Sequence, residues 1–268
     1  MGVGLEIVAG QATAPGATLT ALTPIGGTTF TVRNSAGDAP NYLLSTWAFS
    51  QAAGILRIRS PRMHDNVQGI RFRTGVNDPE PRYLSGFKQR LYPQDPLTVE
   101  LSGSAVAGDI EQAAMLMYYS DIPGVAARLW SPADVMAKTL NLVTVEHVIT
   151  PLTTGGFSGE RAFNADFNLL RSDELYAIIG YEVSSTVLAV RYRGVDFGNL
   201  GVGGPGSIGD RFVGLDWFAR LSNETGLPLV PVFDSSNAPG ILVDIATNEL
   251  APITQVVTYL AHLGPKGS

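Results

Sequence analysis

The sequence predicts an all-β protein made of two tandem eight-stranded jelly rolls, each with a short helix late in the roll. Short apolar segments alternate with turn residues along the chain, which has 30 Gly and 17 Pro among its 268 residues, as is typical of β proteins with many turns. A similar order of segments occurs twice, offset by about half the chain. A parallel α/β sheet is not expected, because it needs a helix after almost every strand.

The repeat is clearest in two pairs of closing strands, at residues 97–119 and 241–260. In both pairs a proline precedes an apolar strand that contains one acid, and a polar gap with a glutamine leads to a longer strand with tyrosine. Five elements match in the same order between the two halves of the chain. Duplication explains such a series better than coincidence does.

The first half contains eight candidate strands and one candidate helix. The strands are predicted at residues 5–8, 17–22, 28–33, 42–49, 54–59, 70–73, 97–101 and 110–119. Tyr83, Leu84, Phe87 and Leu91 recur at helical spacing, which predicts the late helix. Ser131 followed by Pro132 has the N-cap and first-turn proline of a helix start, so that residues 131–141 are predicted to form a linker helix.

The second half repeats this order. Its strands are predicted at residues 142–149, 163–170, 175–183 and 189–193 and in the closing pair, with a helix over 210–225. The turn at 23–27 is echoed at 150–156. Eight strands with long connections favour the jelly roll among β-sandwiches. The predicted units are a first roll at 1–130, the linker helix, and a second roll at 142–268.

Composition and charge limit the classes of function. The net charge is −6 and the isoelectric point is about 5.0, so a broad electrostatic contact with nucleic acid is not expected. Only 16% of residues are charged while 45% are hydrophobic, which predicts that neighbouring molecules cover much of the surface. The absence of cysteine excludes disulfides, thiolate metal sites and cysteine nucleophiles. We expect neither a signal peptide nor a membrane-spanning segment.

No catalytic, cofactor or metal site is predicted. The three histidines, His64, His147 and His262, lie in non-equivalent places and lack the clustering that a metal-binding cupin needs. The glycine-rich segment 201–206 contains Pro205 and lacks the flanking strand and helix of a dinucleotide site. It is predicted to be a flexible loop and a candidate inter-subunit contact. The segment 155–159 is predicted to be a turn, since its glycine spacing does not fit a nucleophile elbow.

Two arginine pairs are the charged feature that both halves share. Arg57 and Arg59 share one face of their strand, as do Arg191 and Arg193 of theirs. One interpretation is a solvated face, or ion pairs with acids such as Glu100 and Asp244. The other is that these arginines are interface residues that form inter-subunit salt bridges. Arg62, Arg71 and Arg73 add positive charge to this feature in the first half only.

This pattern resembles that of the double jelly-roll major capsid proteins of icosahedral viruses. In size the chain is similar to the small members of that family, which come from tailless, lipid-containing bacteriophages. The closing strand pairs and the late helices at 83–91 and 212–220 carry the resemblance. It implies a non-enzymatic shell protein that forms a homotrimer of pseudo-hexagonal outline and tiles an icosahedral capsid. It also implies assembly in the host cytoplasm, location in the virion, and contact with minor capsid or vertex proteins and an internal membrane. Cofactors and sequence-specific binding of nucleic acid are not implied, and the long basic N-terminal arm that would grip a membrane is not present here.

A carbohydrate-binding or cupin-like double β-domain is the alternative function. It predicts a concave pocket lined by aromatic and polar side chains. Trp47, Trp130 and Trp217 are the candidate aromatic residues, although Trp217 falls on a predicted helix and Trp130 lies beside the linker.

Overall fold

A computed structural model describes residues 2–36, 40–63, 66–83, 88–166, 170–208, 214–248 and 254–267. The strands of the first half are β1 (Gly4–Thr13), β2 (Thr20–Ala21), β3 (Thr23–Pro24), β4 (Asn41–Phe49), β5 (Gly54–Arg59), β6 (Ile70–Thr74), β7 (Arg82–Tyr83), β8 (Gln89–Leu91), β9 (Thr98–Leu101) and β10 (Ile110–Tyr119). The remaining elements are β11 (Leu129–Trp130), α1 (Pro132–Lys138), β12 (Asn141–Ile149), β13 (Gly156–Ala162), β14 (Glu174–Val183), β15 (Val187–Arg193), β16 (Gly201–Gly206), α2 (Trp217–Thr225), β17 (Val230–Asp234), a 3₁₀ helix (Ser235–Gly240), β18 (Leu242–Thr247) and β19 (Thr254–Pro265).

Each half of the chain folds into a sandwich of two antiparallel sheets, which we call roll 1 and roll 2. Long sheet 1 has the strand order β3-β1-β10-β4, and both β7 and β8 pair with β4. Short sheet 1 has the order β2-β9-β5-β6. In roll 2, long sheet 2 runs β11-β17-β14-β19-β12 and short sheet 2 runs β13-β18-β15-β16. The inner faces of each pair of sheets enclose a hydrophobic core.

The two rolls share one strand order. When β1, β10 and β4 are matched with β12, β19 and β14, the central strands of the long sheets correspond. The short sheets correspond strand for strand, from β2 with β13 to β6 with β16. Two four-stranded sheets with these orders are typical of a jelly roll. The all-β prediction is confirmed, and the four sheets are consistent with two tandem jelly rolls.

The predicted closing pairs are not hairpins. β9 belongs to short sheet 1 and β10 to long sheet 1, and β18 and β19 are divided in the same way. β10 pairs with both β1 and β4, and β19 pairs with both β12 and β14. Each closing pair therefore connects the two sheets of its sandwich and supplies a central strand to the long sheet.

Several local predictions were wrong, and hydrogen bonding between distant segments is the reason. The predicted strand at 28–33 makes only the bridge Thr31–Pro96 within the described residues, although Phe30 is buried. The predicted turn at 155–159 instead leads into β13. The predicted strand at 163–170 is a turn over 163–166, and residues 167–169 lie outside the described residues. The predicted helix at 83–91 has strands at both ends, because β8 pairs with β4; residues 84–87 lie outside the described residues.

The two similar turns are not structural equivalents. Residues 23–29 form an excursion, which we call the tongue. The residues on either side of it hydrogen-bond to the same segment, since Leu22 donates to the Val99 carbonyl and Leu97 donates to the Phe30 carbonyl. The tongue returns to β1, where Ile25 donates to the Ala9 carbonyl. The turn at 150–155 instead joins β12 to β13.

α1 and α2 each have a capping residue at one end. Ser131 Oγ accepts a hydrogen bond from the Asp134 amide at 3.1 Å, at the predicted start of the linker helix. α2 ends at Gly226, where φ is +67°, and residues 210–213 of its predicted span lie outside the described residues. β11 pairs with β17 of roll 2, so the last two residues of the predicted first unit belong to the second sandwich. No described helix combines the length and the hydrophobicity that crossing a membrane requires.

Candidate interaction surfaces

The two rolls contact each other through one outer sheet face of each. In β1, both faces are buried: Val8 points into roll 1, whereas Leu5 and Ile7 join the core of roll 2. They pack against β16, at the edge of short sheet 2. Trp47 of β4 donates from Nε1 to the Leu188 carbonyl of β15 at 2.7 Å. The outer face of long sheet 1 therefore lies on the outer face of short sheet 2, and this contact is largely apolar.

The glycine-rich segment 201–206 is a strand and not the predicted loop. All six residues of β16 are buried. A Cβ on Gly203 would lie 2.0 Å from the Val190 carbonyl oxygen, and one on Gly204 would lie 2.5 Å from the Trp217 ring. Glycine is used here because backbone and aromatic rings approach closely on both sides. The predicted inter-subunit contact is thus a contact between two rolls of the same chain.

Arg191 and Arg193 lie beside this contact and share one acid. Arg191 binds Asp244 with two parallel hydrogen bonds, from Nε to Oδ1 at 2.9 Å and from Nη2 to Oδ2 at 2.7 Å. Its Nη1 donates to the Gly26 carbonyl of the roll 1 tongue at 3.0 Å. The guanidinium also lies 3.8 Å from the centre of the Phe157 ring. Arg193 reaches Asp244 Oδ2 at 3.2 Å and also pairs with Glu160.

Arg57 and Arg59 form the equivalent arrangement in roll 1. Arg57 binds Glu100 through Nε at 2.6 Å and Nη2 at 2.8 Å, and Arg59 binds the same carboxylate at 3.0 Å. Burial of Glu100 raises its pKa, but the hydrogen bonds from the two arginines outweigh burial and hold the pKa below its ordinary value. Each arginine pair therefore binds the acid of the neighbouring strand, as the simpler interpretation of the sequence predicted.

The two arginine clusters differ in what covers them. Arg191 and Asp244 have 6% and 0% of their side chains exposed, because the tongue of roll 1 lies over them. Arg57 and Arg59 have 16% and 29% exposed. The register explains part of this difference: Arg191 pairs with Gly203 across the ladder, whereas Arg57 pairs with Arg71. At the position opposite the first arginine of each pair, short sheet 1 thus has a second arginine, whereas short sheet 2 has a glycine with no side chain.

Two acidic residues on the outer face of long sheet 2, Glu146 and Glu182, were not singled out from the sequence. Glu146 is exposed on β12, where exposed residues alternate with Val145, His147 and Ile149, which are buried. That alternation was visible in the sequence as a half-buried strand. Nothing in the sequence distinguished the face left open from the face covered by a neighbour.

The two histidines that the structure describes, His147 and His262, do not form a common site. His147 is fully buried beside Phe163, and His262 pairs with Glu174 and stacks on Tyr176. His64 lies outside the described residues. Among the residues that the structure describes, no group of three or more His, Cys, Asp or Glu could hold a metal ion.

His147 predicts a loss of stability in mild acid. Burial lowers its pKa from 6.5 to about 4, with opposing smaller effects from Asp166, which raises the pKa, and Arg161, which lowers it. Neither ring nitrogen has a hydrogen-bond partner in the described part of the chain. Because the unfolded chain binds the proton more readily, the free energy of unfolding should fall by about 3 kcal/mol as pH decreases from 6.5 to about 4.

Urea unfolding at intervals across that pH range measures the effect. In a His147→Leu variant the slope should flatten by about one proton per chain between pH 6.5 and 4. An unchanged slope in that variant would show that His147 is not the group responsible.

The candidate sugar-binding tryptophans do not line a common pocket. Trp47 and Trp217 meet edge to face with ring centres 5.9 Å apart, and both are buried. Neither therefore presents a ring to a ligand. Trp130 is half-buried beneath Lys138 and lines a separate cavity of about 260 Å³ with Leu175 and Leu263.

The chain is similar to solved structures, one of which comes from a phage-related protein. The PBSX exported protein XepA matches with 11% sequence identity and a TM-score of 0.28, over 96% of this chain and 86% of that one. Neither a family model nor a curated protein matches the sequence.

Proposed function

We propose that the chain is a structural protein, a major capsid subunit of a virus, which self-associates into trimers that tile an icosahedral shell. The observation that carries the proposal is the way in which the two rolls join. Each roll has two outer faces, and one face of each is used in the contact within the chain. The outer face of short sheet 1 stays open, as does the β12 side of the outer face of long sheet 2, whereas α1 and α2 cover the outer face of long sheet 2 over β14, β17 and β19. Each chain therefore offers two surfaces for lateral association.

Three such chains would place six similar rolls around one axis, which gives a trimer a pseudo-hexagonal outline. This arrangement needs no catalytic group and no cofactor. The proposed location is the virion, after assembly in the host cytoplasm, and minor capsid proteins and an internal membrane are proposed as further contacts. The small charged fraction, 16% of residues, agrees with a surface that neighbours cover.

The mass of the purified protein in solution tests this function. Light scattering and mass photometry should give three chain masses, and negative-stain electron microscopy should show particles of hexagonal outline. A monomer at high concentration would contradict the proposal. A monomer that also binds on a glycan array would support the carbohydrate-binding alternative.

A further inference from the structure

We infer that the open face of short sheet 1 binds the open face of long sheet 2 of a second copy of this chain. The inference rests on the proposed function, because it names the surfaces through which the subunits would associate. The contact within the chain is its template, since there a long sheet from roll 1 already lies on a short sheet from roll 2. Because the rolls share one strand order, the same pairing of sheet types remains possible with the two faces left over.

The open face of short sheet 1 is basic. Arg57, Arg59, Arg71 and Arg73 share this face, because Arg71 pairs with Arg57 and Arg73 pairs with Ile55 across the ladder. One carboxylate, Glu100, lies among them and is already bound by Arg57 and Arg59. Arg71 and Arg73 are exposed, and neither has a salt-bridge partner in the described ranges. Arg71 donates to Gln68, and within the described ranges these two arginines have no carboxylate partner, so a carboxylate of a second copy could bind them.

The open part of long sheet 2, which is the β12 side of its outer face not covered by α1 and α2, is acidic. Its three neighbouring strands β12, β14 and β19, all of whose residues are described, contain no lysine or arginine. Glu146 pairs with Val257, and Val257 pairs with Glu182, so both carboxylates lie on one face. Glu182 accepts a hydrogen bond from the Tyr259 hydroxyl at 2.7 Å. Opposite charges on the two open faces fix which face binds which.

Exposed apolar side chains adjoin the acidic face. Leu142 and Val148 share the outward side of β12 and are 71% and 38% exposed. Met136 and Leu140, on the linker leading into β12, are 77% and 61% exposed. A concentration of exposed apolar groups along one strand marks an interaction surface, whereas single ones do not. A second copy would cover these groups as the chain's own contact covers Leu5 and Ile7 in β1.

The proposed contact joins two different surfaces, so it is head-to-tail. Such contacts form a ring if the rotation between neighbours closes, and a filament if it does not. Each copy uses its basic face toward one neighbour and its acidic face toward the other. Because each contact joins a basic face to an acidic face, reversing the charges on one or both faces of the chain is a decisive test.

Reversing the charge of one face should prevent association, and reversing both should restore it. In the double variants R71E/R73E and E146K/E182K, both faces of a chain carry the same sign. The concentration for half-assembly, measured by mass photometry, should therefore rise about tenfold or more. The quadruple variant again has opposite signs and should assemble near the wild-type concentration. Assembly of the wild type should also weaken as salt is raised.

A pair of aspartate substitutions tests the apolar part of the surface. Leu142→Asp should weaken assembly at least as strongly as the charge variants do. Val106→Asp is the matched control, because Val106 is 64% exposed in the loop between β9 and β10 and belongs to no strand of either proposed face. Both variants should keep the wild-type melting temperature of the monomer.

The results separate this inference from the proposed function. If the wild type forms no oligomer, the proposed function fails, and with it the basis of the inference. If the wild type assembles but the charge variants and Leu142→Asp assemble equally well, the interface assignment is overturned and the proposed function stands. Failure of the quadruple variant to recover, with its fold intact by circular dichroism, would also overturn direct pairing of the two faces.

Discussion

Replacing Asp244 by alanine is expected to lower the free energy of unfolding by about 3–5 kcal/mol. The carboxylate is fully buried and binds Arg191 with two hydrogen bonds, while a third reaches it from Arg193. Removing it leaves the Arg191 guanidinium buried without a counter-charge. Arg191 also donates to Gly26 in roll 1, so the loss should weaken the contact between the rolls.

Glu100→Ala is the matched control for this prediction, because Glu100 occupies the same place in roll 1. Its partners Arg57 and Arg59 can turn towards solvent when the acid is removed, so we expect a loss of about 1 kcal/mol. Urea unfolding of both variants at the same protein concentration measures the difference. Equal losses would mean that the cover over Arg191 contributes nothing to the strength of its ion pair.

Trp47→Ala should destabilise the chain by about 3–5 kcal/mol and uncouple the two rolls. The side chain is 1% exposed, contacts the Trp217 ring and donates to the Leu188 carbonyl, so its loss leaves a cavity and an unpaired carbonyl between the rolls. Differential scanning calorimetry should show one transition for the wild type and two for the variant.

Trp130→Ala provides the comparison for Trp47→Ala, because Trp130 is half-buried and lies away from the contact. That variant should unfold in a single transition with a smaller loss of stability. A single transition for Trp47→Ala, shifted by less than the Trp130 variant, would contradict the assignment of Trp47 as a link between rolls.

Strands with strong apolar character could be predicted from the sequence. β10 was predicted with its observed bounds, and β4 and β12 were each predicted to within one residue. β16 was missed because four of its six residues are glycine, which leaves no pattern of side chains to read. β8 was missed because Leu91 fits a helical spacing locally, whereas its backbone pairs with Asn41 of β4.

The candidate site was predictable only in part, for a related reason. Duplication identified the two arginine pairs, and the acids on the neighbouring strands were visible as their partners. The sequence could not indicate that Arg191 is covered and Arg57 is not. That difference depends on how one roll packs on the other: Gly26, whose carbonyl binds Arg191, is 165 residues away in the chain, and Gly203 belongs to a strand that the sequence did not predict.

The place of the closing strands in the long sheets determines the order in which the rolls can form. β1 can form its ladder with β10 only after β10 is available, since Gly4 pairs with Tyr119. In the same way β12 needs β19, since Asn141 pairs with His262. Pairings between such distant segments slow folding. β19 is also a central strand, so a nascent chain that has not reached it exposes two unsatisfied strand edges, on β12 and on β14. During synthesis, roll 1 can close first, and its apolar outer face then offers a surface on which roll 2 completes its own folding.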